Sequence, residues 1–521
     1  MKYRFLFIPI DDRPCTFKMP VDMAKIAGVE MVSPPAELLG KYQLPGESEA
    51  LINWLRDVKG PFHGAIIALD MPLYGGLVAS RKMLVEKETV MERLQELVSI
   101  ITDRREDLGR ICVFSSLLRV TPTYTDIGLI PIIEKIISYS SEMYHAVKGN
   151  ENSKKLAERI KKEIPANILE EYLFARDRNF SVNKKLLDYA GDGIFDRLLI
   201  GLDDSKTVGL NILEREELEE ISGRNGLGNV VSIAPGTDES TALMLAELLC
   251  SITGIHPSIT PIYSNPEGKK ITGKYEDRSF EELVNLHIHI SGGLRTNLMK
   301  DADILLFVHN PVGSQKEASG QNMFFNAGKN YDPFVLSLEK MISDGRKVAV
   351  ADVLYANGAD NKLIEKMLKK VNVLKLYSFA AWNTSGNTVG TAIAHAITRF
   401  VADKLKKSEE ETTTGLDAHV NLLIQRFADD WIYQSDIRQH LSREALIKGV
   451  SMFGIGGKLP EFEKSLREKM ENRFGTLMKS LDGKEIYHSS NGHALKFKPM
   501  KIKNISLPWG RLFEAAFELE K

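Results

Sequence analysis

Asp203 and Asp204 follow the apolar run LLIGL, and Asp238 and Glu239 follow VVSIAPGT. Neighbouring carboxylates suit glycoside hydrolysis: one protonates the leaving oxygen, while another acts as nucleophile, activates water or orients an acetamido group. These four are the acid/base candidates. Further polar groups follow other apolar runs and form the substrate-binding candidates: Asp11, Asp12 and Arg13 in IPIDDRP, Asp70 and Arg81 in LDMPLYGGLVASR, and Asn310 in HNP. Asn357 and Asp360 in YANGAD, and Trp382, Asn383 and Asn387 in WNTSGN, complete the set. A Trp ring stacks on a sugar face and amides fix hydroxyls. Arginines such as Arg13 and Arg81 bind a carboxylate or phosphate through paired N–H donors.

Each of these has a plainer reading. Asp11-Asp12 suits a helix cap or a turn, Thr237-Asp238-Glu239 suits a helix cap, Asn357-Gly358 suits a turn, the arginines suit surface ion pairs, and Trp382 suits the core. The functional reading rests on all of these types recurring at equivalent places. The same aspartates are also oxygen ligands for Mg²⁺ or Mn²⁺, which makes a metal-dependent hydrolase or lyase the alternative; a non-catalytic sugar-binding protein is a third. There is no His-Glu-x-x-His, no Gly-x-Ser-x-Gly, no Walker loop and no dinucleotide fingerprint after a strand. His287-x-His289 follows an apparent helix, and the glycine cluster at Phe453–Lys458 reads as a loop.

Placing these groups requires strands. Apolar runs of strand length begin at Phe5, Ala65, Ile111, Leu198, Val230, Ile304, Val348 and Leu376, each ending in polar, Gly or Pro residues and most followed by helical periodicity. Runs apolar on both faces belong to parallel strands covered by helices. The alternation predicts an α/β fold, read as a (β/α)₈ TIM-barrel-like domain whose active face lies past the strand C-termini. An open doubly wound sheet or two smaller lobes would place ligands by a similar rule. The expected organisation is a barrel over 1–400 with a helical insertion at about 125–190, then a helical and β-rich C-terminal region over 401–521. The stretch SITPIYSNPEGKK reads as an extra hairpin or strand.

Composition sets the outer limits. The 521 residues carry 68 Lys+Arg against 70 Asp+Glu, a net charge of −2, which argues against a broadly basic nucleic-acid binder. Cys15, Cys112 and Cys250 stand far apart, so no disulfide framework or cysteine zinc site is expected and a reducing cytoplasm is the expected location. The start, MKYRFLFIPIDDRP, is too short in apolar residues for a secretory segment, and no run reaches the roughly 18 residues of a membrane span.

The stretches PIDDRP, LDMPLYGGLVASR, APGTDES, ADVLYANGAD and WNTSGNTVGTAIAHA, with a late LPWGR, resemble the bacterial family recorded as Domain of Unknown Function 4127, over nearly the whole chain. That resemblance implies no activity. Locally, DDS at Asp203–Ser205 together with the Trp-Asn of Trp382-Asn383 is similar to the O-GlcNAcase-type hexosaminidases. That resemblance implies that Asp203 polarises an acetamido group and that Asp204 is the general acid. The expectation is a carbohydrate-active, glycosidase-like hydrolase acting on a small acidic or N-acetylated sugar, with no cofactor, no metal, no nucleic acid and no membrane.

Overall fold

The computed structural model describes residues 3–124, 127–321, 331–405, 408–488 and 494–521. Among them lie strands β1 (Tyr3–Ile8), β2 (Val29–Val32), β3 (Gly64–Ala68), β4 (Arg110–Leu117), β5 (Arg197–Leu202) and β6 (Val231–Pro235). Then come β7 (Ser258–Tyr263), β8 (Leu294–Arg295), β9 (Ile304–His309), β10 (Lys316–Glu317), β11 (Lys347–Asp352), β12 (Tyr355–Ala356) and β13 (Ser378–Ala380). Their contacts divide the chain into two units. The first comprises Met1–Ala24, Gly28–Leu248 and Tyr275–Arg278; the second comprises Lys25–Ala27, Leu249–Lys274 and Ser279–Lys521.

The fold class is α/β with parallel sheets, and the described strands fall into separate sheets rather than one closed barrel. The first unit holds a six-stranded sheet in the order β2-β1-β3-β4-β5-β6, parallel throughout. The second holds a five-stranded sheet in the order β13-β11-β9-β7-β8, again parallel. Counted from its own first strand, each unit begins with the doubly wound order 2-1-3-4-5. In that order the chain reverses its direction of winding beside the first strand, opening a crevice at the strand C-termini. Apolar βα alternation is common to barrels and open sheets, because both bury strands on two faces. The pairing of edge strands decides between them.

Those edges are where the sequence was hardest to read. β2 is short and only partly buried, so it lacks a continuous apolar run. β7 contains Pro261, which argues against a central strand. It is nonetheless the first strand of the second sheet, not a hairpin. The Ile259 carbonyl accepts from Thr296 on the β8 side, so by the period of two Pro261 also faces that side. β8 pairs only Ser258 and Ile259, and the missing N–H of Pro261 lies beyond its reach.

The division also falls near Leu248 rather than at residue 400. Residues on both sides of 400 build one core in the second unit. Phe379 of β13 stacks on Phe427 with ring centroids 4.5 Å apart, and Leu466, Met470 and Leu512 join the same cluster. The charged stretch at 408–411 opens a helix: Ser408 and Glu411 form a capping box for Glu409–Arg426. Between β4 and β5 lie the helices Ile130–Val147, Glu151–Glu163 and Ala166–Gly191. No helix among the described residues is long and apolar enough to cross a membrane.

Candidate functional site

In the first unit, local sequence delivers charged side chains to the strand C-termini. Asp70 opens the short helix Asp70–Tyr74, which Gly75 (φ +89°) and Gly76 (φ +118°) terminate in conformations that L side chains rarely adopt. The next helix, Leu77–Ser80, then hands over Arg81. β5 ends at Leu202, so Asp203 and Asp204 lie beyond the pleat, and Asp204 turns through a left-handed φ of +28°. The two carboxylates thereby reach different arginines.

Arg13 grips two carboxylates at once. Its Nε and Nη2 donate to Asp11 Oδ2 at 2.9 and 2.7 Å, while Nη2 and Nη1 donate to Asp238 at 2.6 and 3.3 Å. Asp11 also accepts from the Arg13 backbone N–H at 3.1 Å and from the Thr16 hydroxyl. It therefore forms the predicted local turn while binding an arginine. Arg81 donates to Asp203 at 2.5 Å and Arg119 to Asp204 at 2.9 Å. The Thr123 hydroxyl accepts from both arginines at 2.9 Å, tying the two pairs together.

These environments separate the proton affinities. Burial favours the neutral form of Asp11, but the adjoining Arg13 charge and its hydrogen bonds outweigh it and hold the carboxyl below its ordinary range. For Asp238, 7% exposed, burial outweighs the same arginine, and with the nearby charges of Asp11 and Asp203 it lifts the group to about 6. Asp204 is raised by burial and by the Asp203 charge, against the pull of Arg119 and Arg81. Its side chain keeps 35% of its surface. Asp70 is raised chiefly by burial; it accepts from the Ser116 backbone N–H at 3.0 Å and from the Ser116 hydroxyl. Asp12 is half-buried beside this cluster in sequence. Glu239 is fully buried, its carboxylate filling the space that a side chain at Gly236 would need.

The helix Ala166–Gly191 supplies positioning groups that sequence reading missed. Arg176, in a two-pronged ion pair with Glu214 at 2.8 and 2.5 Å, donates to the carbonyls of Leu118 and Arg119. Arg178 and Asn179 donate to the carbonyl of Ser80 at 2.7 and 3.0 Å. The backbone at two of the three site arginines, Arg81 and Arg119, is thus held from one helix. Nothing local marks Arg176 or Arg178 as positioning groups, because Glu214 and the carbonyls they hold lie tens of residues away in sequence.

The remaining candidates belong to the second unit and serve its loops. Asn310 bridges to Asn265, accepting from its N–H at 3.1 Å and donating to its carbonyl at 2.9 Å. Asn357 lies in the expected turn with a left-handed φ of +60° and donates to Glu317 at 2.8 Å, while its N–H donates to the carbonyl of Asn383. Asp360 caps the helix Asn361–Lys370 through the Lys362 N–H at 3.0 Å. Asn387 completes a capping box with Thr384. Trp382 is 5% exposed, and its indole N–H donates to Thr391 at 3.1 Å, which makes it a packed side chain rather than an open platform. The fifteen candidates therefore divide between two sheets: Asp11, Asp12, Arg13, Asp70, Arg81, Asp203, Asp204, Asp238 and Glu239 in one unit, and the amides, Asp360 and Trp382 in the other.

Among the described residues, no group of three or more His, Cys, Asp or Glu side chains is placed to hold a metal ion. The similarity to O-GlcNAcase-type hexosaminidases gains no support, since Asp203-Asp204 and Trp382-Asn383 lie in different units. No curated protein and no solved structure matches the chain. One family does match, over residues 5–518, and the chain belongs to it: the family described as protein of unknown function (DUF4127).

Proposed function

We propose that the first unit is a hydrolase working by carboxylate acid/base chemistry on a small acidic sugar derivative. One observation carries this reading. Arg13 binds two carboxylates whose proton affinities are pushed apart, Asp11 downward and Asp238 upward to about 6. Divergent neighbours of this kind mark acid and base roles. In this reading Asp238 donates the proton to the leaving oxygen. Asp204, the more exposed of the raised carboxylates, activates water or attacks, and Asp203 orients the substrate. Arg119 and Arg81 offer forked donors to a substrate carboxylate or phosphate. Parallel strands bring these groups to one end of one sheet, where doubly wound folds bind ligands.

The test is a release assay over aryl glycosides that include uronides, phosphorylated sugars and N-acetylhexosaminides. Turnover of an acidic member is expected, and Asp238→Asn should lower kcat by roughly 10²–10⁴-fold with KM little changed. No turnover with any sugar, together with no sugar-induced rise in melting temperature, would overturn it.

A further inference from the structure

The second unit has its own winding reversal, between β7 and β9, and the side chains at those two strand ends form a relay. Ser264 follows β7 directly, and its Oγ lies 3.1 Å from Nδ1 of His309, the last residue of β9. His309 Nε2 lies 3.3 Å from Asp360 Oδ2, which also accepts from the Tyr331 hydroxyl at 2.6 Å. We propose that Ser264, His309 and Asp360 constitute a nucleophilic serine site for acyl transfer, separate from the carboxylates of the first unit.

The bonds assign the tautomer. Asp360, a hydrogen-bond acceptor there, calls for the proton on Nε2, which leaves Nδ1 with a lone pair toward Ser264. The hydroxyl has competing acceptors in the Asn310 carbonyl and side chain at 3.4 and 3.3 Å, but His309 is the nearest. The Asn310 N–H donates to the same hydroxyl at 3.1 Å and fixes it from behind. Accessibility follows the roles: His309 and Asp360 are 2% and 1% exposed, whereas Ser264 is half-buried. Asp360 is braced further by its own N–H donating to Asp352 at 2.7 Å, and the His309 ring packs against Tyr331 and Phe334.

The chemistry follows from the arrangement and not from a sequence motif. Ser264 Oγ bonds to the carbonyl carbon of an ester as its proton passes to His309 Nδ1. The resulting imidazolium faces the Asp360 carboxylate. Collapse expels the alcohol, which takes the proton from Nδ1 and leaves an acyl-serine. Water, deprotonated by the same nitrogen, then releases the carboxylic acid and restores Ser264. Asn265 Nδ2, which donates to the Asn310 carbonyl at 2.5 Å, also lies 3.4 Å from Ser264 Oγ and is the amide that would turn to a developing oxyanion there. Among the described residues, none of the groups bonded to the relay is cationic, so the electrophile it fits is a carboxylic ester rather than a phosphate ester.

A fluorophosphonate probe with peptide mass spectrometry tests the assignment on the full chain. The expected result is a single adduct on Ser264, absent in Ser264→Ala, with the labelling rate lowered at least about tenfold in His309→Gln and in Asp360→Asn. Asn caps helices as well as Asp does, so Asp360→Asn retains the helix start and separates loss of the relay from loss of the fold. No adduct on Ser264 in the folded protein, or labelling that His309→Gln leaves unchanged, would overturn the proposal.

Discussion

Arg13 makes the acid/base reading of the first unit specific at the scale of single residues. An arginine between two buried carboxylates satisfies both with parallel N–H donors, which a lysine ammonium does not reproduce. Removing the guanidinium while keeping its apolar length, as in Arg13→Met, leaves Asp11 and Asp238 buried without their shared cation. The expected cost is about 3–5 kcal/mol in urea unfolding at neutral pH. Much of that loss should be recovered in the triple variant that adds Asp11→Asn and Asp238→Asn to Arg13→Met, because neutral amides carry no buried charge. A single-variant loss below about 1 kcal/mol would mean that the cluster is solvated and not the closed network of the structure.

At the scale of elements, two local devices set the loops around the sites. Gly236 carries β6 into the helix Ser240–Thr253 with φ +107°, and the Glu239 carboxylate occupies the place of its absent Cβ. Gly236→Ala is therefore expected to cost about 1–3 kcal/mol from backbone strain alone, with displacement of Glu239 in addition, read as a lower melting temperature. The second device is the π-helix Phe427–Ile437. Its Asp430 accepts from the Ala381 N–H at 2.7 Å, and its carbonyl accepts from Ala359. Burial lifts Asp430 to about 8, above its unfolded value of 3.8, although Arg426 pulls the other way. The native state thus holds a proton that the unfolded state gives up, so this contribution is full below pH 3.8 and is lost as pH rises through about 8. Asp430→Asn should flatten the fall in unfolding free energy between about pH 4 and 8. An unchanged slope would place the proton elsewhere.

For the whole molecule, the division into units makes the C-terminal segment part of a sheet's core. Residues from Leu416 to Ala515 pack in the same cluster as Phe307, Val350 and Phe379 of the central strands. Ending the chain after residue 404 is expected to abolish cooperative unfolding of the second unit while leaving that of the first, as followed by hydrogen exchange of β9 and β11 against β3 and β4. Retained protection in β9 and β11 would show that the sheet stands without its covering helices. The sequence by itself determined the class of the molecule. Runs such as AIIAL and ILLFV are apolar on both faces, which only covered parallel strands need, and polar residues collect where those strands end. It also determined short-range geometry: the Asn357 turn, the Asp11 turn and the helices near 125–190 were legible because the signals lie within a few residues. Tertiary structure alone decided that there are two open sheets and not one barrel, because closure depends on edge pairing between residues far apart in the chain. It also decided which carboxylate each arginine binds and that Trp382 is packed away. It brought Ser264, His309 and Asp360 together from three separate strand and helix ends. Long-range juxtaposition leaves no periodic trace in a single chain, and burial, which sets proton affinity, exists only once the chain has folded.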